Sequence, residues 1–270
     1  MSAIRVGAVS YLNTLPLVRG LRRRGPFDVR FDVPSRCAAL LHEGAIDVGL
    51  IPSIEVLRGD YSVAPGVAIA SEGPVASVAL FSRVPVPAIR RIALDTSSRT
   101  SAALVRVLCA ERFGITPAFE PHGPDLPAML RAHDAALVIG DNALYADHGR
   151  LGVLKVDLGE EWTAHTGLPF VWAAWVGRPS ALTAEVCEAL RDSRDEGLAA
   201  LEDIASEYAE GDEHRRDVAR RYFRDNMRYH LGDRHVAAME RFYRSAAAVG
   251  VVPEARPVRF AGTGARAGHR

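Results

Sequence analysis

Hydroxyl-bearing residues sit just before two predicted helices, where they would suit the binding of an anion. They are Ser53, Ser97, Ser98, Thr100 and Ser101. The first turn of a helix leaves backbone N–H groups unpaired, and its dipole favours a negative charge by roughly 0.3–1 kcal/mol. Ser and Thr are also usual N-caps, so capping alone remains an alternative for each of them. Together they predict a site for a small carboxylate-bearing molecule.

A second group of polar residues accompanies the first predicted strand-to-helix loop. Ser10 and Asn13 lie in that loop, and Ser77 lies in a later predicted strand. An amide can both donate and accept a hydrogen bond, so Asn13 could bind a substrate hydroxyl. Alternatively, Asn13 is an ordinary residue at a helix start and Ser77 is a satisfied strand hydroxyl. We expect this group to form the wall opposite the Ser97–Ser101 segment.

The residue that would abstract a proton is less clear from the sequence. Asp141 follows a predicted strand and could act as a base, or it could cap the helix that starts near Asn142. Glu55 and His165 are weaker candidates. The chain shows no clear pair of carboxylates for acid–base chemistry.

Metal, nucleotide and disulfide patterns are missing from the sequence. The 9 histidines include no His-Glu-x-x-His spacing, the 3 cysteines have no ligand spacing, and no P-loop or Gly-x-Ser-x-Gly turn occurs. We therefore predict no metal and no organic cofactor.

Composition and charge favour a soluble protein with a small-molecule partner. Lys plus Arg and Asp plus Glu both number 33, so no net field draws the chain to nucleic acid or to a membrane surface. No apolar run reaches the roughly 18–20 residues of a membrane span, and the N-terminus lacks a secretory pattern. We expect a cytoplasmic location, and the oligomeric state stays open.

The elements that must position these residues alternate between strands and helices. Strands are predicted at 4–9, 29–33, 46–51, 76–81, 91–94, 118–120, 135–139, 153–156 and 171–176, with helices between several of them and throughout 180–248. Such alternation predicts an α/β fold with mainly parallel sheets and C-terminal helices. We place crossings between two lobes at 84–87 and 177–179. Lobe 1 is then 1–84 plus 178–252, lobe 2 is 85–177, and 253–270 is a flexible tail.

Four segments carry a resemblance to a known enzyme family. They are Val9-Ser-Tyr-Leu-Asn-Thr-Leu-Pro16, Asp47-Val-Gly-Leu-Ile-Pro-Ser53, Gly73-Pro-Val-Ala-Ser-Val78, and Ile139-Gly-Asp-Asn-Ala143 followed by Trp162 and Gly167-Leu-Pro-Phe170. In this order they resemble the chorismate dehydratases of the futalosine route to menaquinone. The Ser-Tyr-Leu-Asn element is the most specific of them.

The resemblance implies a fold, a reaction and a further site residue. The fold is that of the type 2 periplasmic binding proteins, with a cleft between lobes, and Gly140 falls among the substrate-binding residues. The reaction is loss of water from the dianion chorismate to give 3-[(1-carboxyvinyl)oxy]benzoate, for which the substrate's own enolpyruvyl carboxylate could be the base. A non-catalytic solute-binding or sensing protein, and the related dihydroxynaphthoate synthase, remain alternatives.

Overall fold

Ten strands form two sheets in this computed structural model, which describes residues 3–262. In chain order the strands are β1 (Ile4–Val9), β2 (Phe27–Asp32), β3 (Val48–Pro52), β4 (Ser62–Ser71), β5 (Val78–Ser82), β6 (Arg91–Asp95), β7 (Ala118–His122), β8 (Ala135–Ile139), β9 (Leu154–Asp157) and β10 (Phe170–Gly177). The apolar runs of β3 and β8 are fully buried, as expected for strands covered on both faces.

The two five-stranded sheets share one topology. Their orders are β2-β1-β3-β10-β4 and β7-β6-β8-β5-β9. In each sheet the fourth strand is antiparallel to both of its neighbours, so the other four strands run in one direction. The prediction of two mainly parallel sheets is confirmed.

Helices cover the sheets and fill the C-terminal region. They are α1 (Leu15–Val18), α2 (Pro34–His42), α3 (Arg99–Leu108), α4 (Leu126–Ala132), α5 (Gly140–Leu144), α6 (His148–Leu151), α7 (Leu158–Thr166), α8 (Ala184–Ala199), α9 (Leu201–Ala209), α10 (Glu213–Arg221) and α11 (Asp233–Ala248). Short 3-10 turns occur at Leu12–Thr14, Leu21–Arg23, Ser53–Arg58 and Val86–Ala88, and π-helical turns at Cys109–Phe113 and Tyr222–Asn226. An aromatic cluster of Trp162, Phe170 and Phe242 packs edge to face inside the core.

The crossings between the sheets differ from the predicted positions. The chain leaves the first sheet after β4 and enters the second at β5, so it crosses in residues 72–77 rather than 84–87. It returns between α7 and β10, in residues 167–169 rather than 177–179. The predicted boundaries therefore assigned β5 and β10 to the wrong lobes. Ladder hydrogen bonds to distant strands decide sheet membership, and local composition does not reveal them.

Strand β4 was missed because Pro65 and Gly66 interrupt its apolar pattern. Gly66 has a φ of +83°, and the pairing of β4 with β10 shifts register twice. Strand β4 lies at the edge of its sheet, where a proline is tolerated.

The C-terminal segment was predicted as a flexible tail, but its first part contacts the first sheet. Val63 donates its N–H to the carbonyl of Arg259 at 2.8 Å and accepts from the N–H of Ala261 at 3.0 Å. Phe260 forms a parallel bridge with Val63. That prediction is wrong for residues 253–262, and its remainder lies outside the described residues.

Within 3–262, no helix combines the length and apolarity needed to cross a membrane.

Candidate active site

A cavity lies between the two sheets, at the ends of strands and the starts of helices. The lobe built on the first sheet lines it with Tyr11, Asn13, Pro34, Ile69 and Trp172, and the crossing segment 72–77 adds Ser77. The lobe built on the second sheet adds Ser98, Thr100, Ser101 and Gly140. The enclosed space is about 60 Å³, below the roughly 300–1,000 Å³ of ordinary ligand pockets. A ligand of ordinary size therefore requires the walls to separate before it enters.

The N-terminus of α3 forms one wall. Ser98 is its N-cap, and the Ser98 hydroxyl accepts the N–H of Ser101 at 3.2 Å. Thr100 and Ser101 are only 2% and 3% exposed. The Ser101 hydroxyl has no hydrogen bond to the residues that the structure describes, so it is available to a ligand.

Two of the predicted carboxylate ligands, Ser53 and Ser97, do not line the cavity. Ser53 donates its hydroxyl proton to the carbonyl of Val171 at 2.7 Å. Ser97 donates to Asp95 at 2.6 Å and therefore accepts from the Tyr11 hydroxyl at 3.4 Å. Both hydroxyls support the walls rather than face the space between them.

The opposite wall joins the first loop to a C-terminal tyrosine. Asn13 donates from Nδ2 to the Tyr222 hydroxyl at 3.2 Å, and the Tyr222 hydroxyl lies 2.7 Å from the Ser77 hydroxyl. No local pattern in the sequence marks Tyr222 for this role, because it falls among aromatic residues at the spacing of a helical core. Ser10, in contrast, is exposed, and its hydroxyl donates to the Asp32 carbonyl at 3.3 Å. It does not line the cavity.

Gly140 is required by the packing of the Tyr11 ring. Its φ is +63°, a region that side chains other than Gly rarely adopt. A Cβ at this position would lie 2.7 Å from Cε2 and Cζ of Tyr11. Gly140 thus lets the two walls meet, and it lines the cavity.

Asp141 links the second lobe to the first instead of facing the cavity. Its carboxylate accepts the Leu12 N–H at 3.2 Å and the Tyr208 hydroxyl at 2.9 Å. Burial raises the pKa of Asp141, and the bonds from Leu12 and Tyr208 oppose that rise. It does not cap α5 with its side chain either. These hydrogen bonds link the two lobes.

The two weaker base candidates also lie outside the cavity lining. Glu55 is fully buried and is bound by His42 and Arg99, both at 2.8 Å. His165 contacts Glu111 at 3.2 Å. Because Arg99 belongs to the second lobe and Glu55 to the first, their ion pair adds a further link across the cleft.

A strained turn in the crossing segment positions Ser77. Ala76 has a φ of +62°, which is unusual for a residue with a Cβ. Asp157 accepts the N–H groups of Val75 and Ala76, at 3.0 and 2.7 Å, and Lys155 donates to the Ala76 carbonyl at 2.9 Å. Burial lowers the pKa of Lys155. These contacts fix the backbone just before Ser77, and no local pattern in the sequence predicts them.

The cavity presents neutral donors and apolar surface. None of the described residues that line it is charged. A carboxylate here would be bound by hydroxyls, an amide and the N–H groups at the start of α3. Among residues 3–262, no group of three or more His, Cys, Asp or Glu side chains is placed to hold a metal ion.

Solved structures with the same architecture include several binding proteins. Protein AF1704 from Archaeoglobus fulgidus superposes with a TM-score of 0.76 at 19% identity, covering 93% of this chain and 98% of that one. The alkanesulfonate-binding protein SsuA from Xanthomonas axonopodis pv. citri gives 0.68 at 19% identity, covering 94% and 95%. A Candida albicans protein described as having the generic periplasmic binding protein fold gives 0.64 at 12%, covering 95% and 92%. The predicted fold is confirmed.

Sequence comparison identifies the family. The family model described as menaquinone biosynthesis matches residues 4–248. The chorismate dehydratase of Thermus thermophilus is 35% identical over 84% of this chain and 89% of its own length. Both agree with the resemblance carried by the four sequence segments. The chain therefore belongs to the menaquinone biosynthesis family.

Proposed function

We propose that this protein is a chorismate dehydratase, a hydro-lyase that removes water from chorismate to give 3-[(1-carboxyvinyl)oxy]benzoate. The observation that carries the proposal is a cavity whose two walls hold neutral hydrogen-bond donors, in a chain 35% identical to a chorismate dehydratase. Loss of the ring hydroxyl and a ring proton makes the ring aromatic, so the substrate itself supplies the thermodynamic drive. The protein has to bind the dianion, align the breaking bonds and stabilise the departing hydroxide.

The start of α3 is the proposed carboxylate site. Thr100 and Ser101 lie in its first turn and line the cavity. The backbone N–H of Thr100, the Ser101 hydroxyl and the helix dipole all favour an anion there, while the Ser101 N–H is already donated to the Ser98 hydroxyl. Ser98 contributes the cap that holds this turn in place, the Ser53 hydroxyl contacts the Thr100 hydroxyl at 3.4 Å, and Ser97, just before the cap, is bound to Asp95.

Asn13 and Ser77 are the proposed ligands of the departing hydroxyl. Both line the cavity on the side opposite α3. A dianion held at α3 by a carboxylate would direct its ring towards them. The amide of Asn13 and the hydroxyl of Ser77 can each donate to an oxygen that gains negative charge as the C–O bond breaks.

The substrate's enolpyruvyl carboxylate is the proposed base. Asp141 engages both of its oxygens with Leu12 and Tyr208, and no carboxylate of the described residues lines the cavity. The ring proton would pass to the substrate carboxylate, the electron pair of the C–H bond would enter the ring, and the C–O bond would break with its electron pair leaving on hydroxide. The hydroxide would then take the proton from the carboxylic acid to give water. Asp141 and Ser10 are then supports of the first loop.

The lobes must open and close during turnover. The cleft is spanned by direct bonds, including Leu12 to Asp141 and Ile54 N–H to Thr100 at 3.2 Å. Closure over the bound dianion would exclude water from the elimination.

We also infer a cytoplasmic location, which is supported by three buried cysteines, none of them in a disulfide.

Incubation of the purified protein with chorismate tests the proposal. The expected result is a new aromatic absorbance, with a product lighter than chorismate by one water in mass spectrometry. The Asn13→Asp variant serves as the matched control, because it keeps the size of the side chain and places a charge beside the dianion. Calorimetric binding of chorismate without conversion would instead indicate a solute-binding protein. No binding at all would indicate another ligand, as for the related naphthoate synthase.

A further inference from the structure

The Tyr222 hydroxyl is a buried polar group outside the cavity that contacts two residues inside it. Tyr222 is 2% exposed and begins the π-helical turn Tyr222–Asn226, which the Asn226 amide fixes to the Pro74 carbonyl at 2.8 Å. Its hydroxyl lies 2.7 Å from Ser77 and 3.2 Å from Asn13. Helices with such π-turns are frequent at functional sites.

The hydrogen bonds that join Asn13, Tyr222 and Ser77 allow only one consistent assignment of donors and acceptors. Thr14 donates to Oδ1 of Asn13 at 3.4 Å, so Nδ2 faces Tyr222 and must donate to its oxygen. Burial raises the pKa of Tyr222, so the phenol keeps its one proton. Ser77 is the acceptor that remains for that proton among the described residues. The Ser77 hydroxyl then accepts from Tyr222 and keeps its own proton for the cavity.

We propose that Tyr222 is a positioning residue that sets this direction, so that Ser77 donates a hydrogen bond to an oxygen of the bound substrate. The proposal rests on the dehydratase function above and deepens it. Without the Tyr222 hydroxyl, Ser77 could rotate and its proton would no longer be directed at the cavity, whereas Thr14 would still orient the Asn13 amide. The reacting oxygen would then meet donors that have to reorganise.

Tyr222→Phe tests the proposal, because it deletes the hydroxyl and keeps the ring. We expect kcat to fall about 10-fold or more, which corresponds to about 1.4 kcal/mol, with KM changed less than 3-fold. The matched control is Tyr61→Phe, which removes another buried phenol hydroxyl, bonded to His42 at 2.8 Å outside the cavity. Tyr61→Phe should lose a similar amount of stability and keep its kcat. Equal kcat values for the two variants would overturn the proposal.

A double-mutant cycle separates positioning from general loosening of the site. If Tyr222 acts through Ser77, then Tyr222→Phe should cost little further kcat in a Ser77→Ala background. If the fold-decreases in kcat of the two single variants multiply in the double variant, the proposal is contradicted. An unchanged kcat in Ser77→Ala would also contradict it, and that measurement is decisive even if Tyr222→Phe does not fold. Failure of the wild type to convert chorismate would instead refute the dehydratase function itself.

Discussion

Replacing Gly140 by Ala should damage stability and catalysis together, and the structure separates the two causes. Gly140 has a φ of +63°, and Gly152 on the surface has a φ of +64° with nothing within 4 Å of its would-be Cβ. Both substitutions place an L side chain in the left-handed region, which costs roughly 1–2 kcal/mol. Only at Gly140 does the new Cβ also meet Tyr11, at 2.7 Å.

The collision at Tyr11 sets the size of the difference. Ordinary contact begins at 3.4 Å, so the ring has to retreat by about 0.7 Å. Forced repacking of this kind typically costs about 1–3 kcal/mol beyond the backbone strain. A displacement near 1 Å in a positioned site can reduce the rate about 100-fold, so we expect kcat/KM to fall at least 10-fold in Gly140→Ala and to stay unchanged in Gly152→Ala.

Urea unfolding gives the stability of each variant, and the absorbance of the aromatic product gives kcat/KM. In a Tyr11→Ala background the collision is absent, so Gly140→Ala should there cost no more stability than Gly152→Ala does in the wild type. Equal unfolding free energies and equal kcat/KM for the two single variants would refute the packing argument.

Three further predictions concern the polar residues. Asn13→Asp should lower kcat at least 100-fold with a normal circular dichroism spectrum, because like charges in a desolvated site repel by several kcal/mol; a variant that keeps half of its turnover would remove Asn13 from the site. Ser101→Ala should raise KM about 2- to 10-fold at constant kcat, the loss of one hydrogen bond, and an unchanged KM would exclude α3 as the carboxylate site. Asp141→Asn should keep most of its turnover. Burial raises the pKa of Asp141 in the folded state, so the wild type takes up a proton and gains stability as the pH falls through that pKa. In urea unfolding, any stability advantage of Asp141→Asn over the wild type should therefore be largest near pH 7 and should shrink towards pH 4. Loss of turnover at unchanged KM would identify Asp141 as a base.

The sequence by itself determined the strands with strong local patterns and the helix starts that follow them. β1, β6 and β8 were predicted to within one residue at each end, because apolar β-branched and small residues form short runs bounded by turn residues. The hydroxyl-rich start of α3 was also marked by residue type alone, whereas Gly140, the first residue of α5, was indicated by the family resemblance. These features depend on residues that are close to one another in the sequence, so the sequence alone is enough to predict them.

Tertiary structure decided which of the marked residues reach the cavity. Ser10 and Ser97 have the same residue type as Ser77 and Ser101, yet Ser10 faces Asp32 and Ser97 faces Asp95. The crossings at 72–77 and 167–169 followed from ladders between distant strands. The residue beneath the proposed reacting centre, Tyr222, lies 145 positions from Ser77 in the chain. A hydroxyl is directed by its partner in space, and here that partner belongs to a C-terminal turn whose own sequence is typical of a helical core.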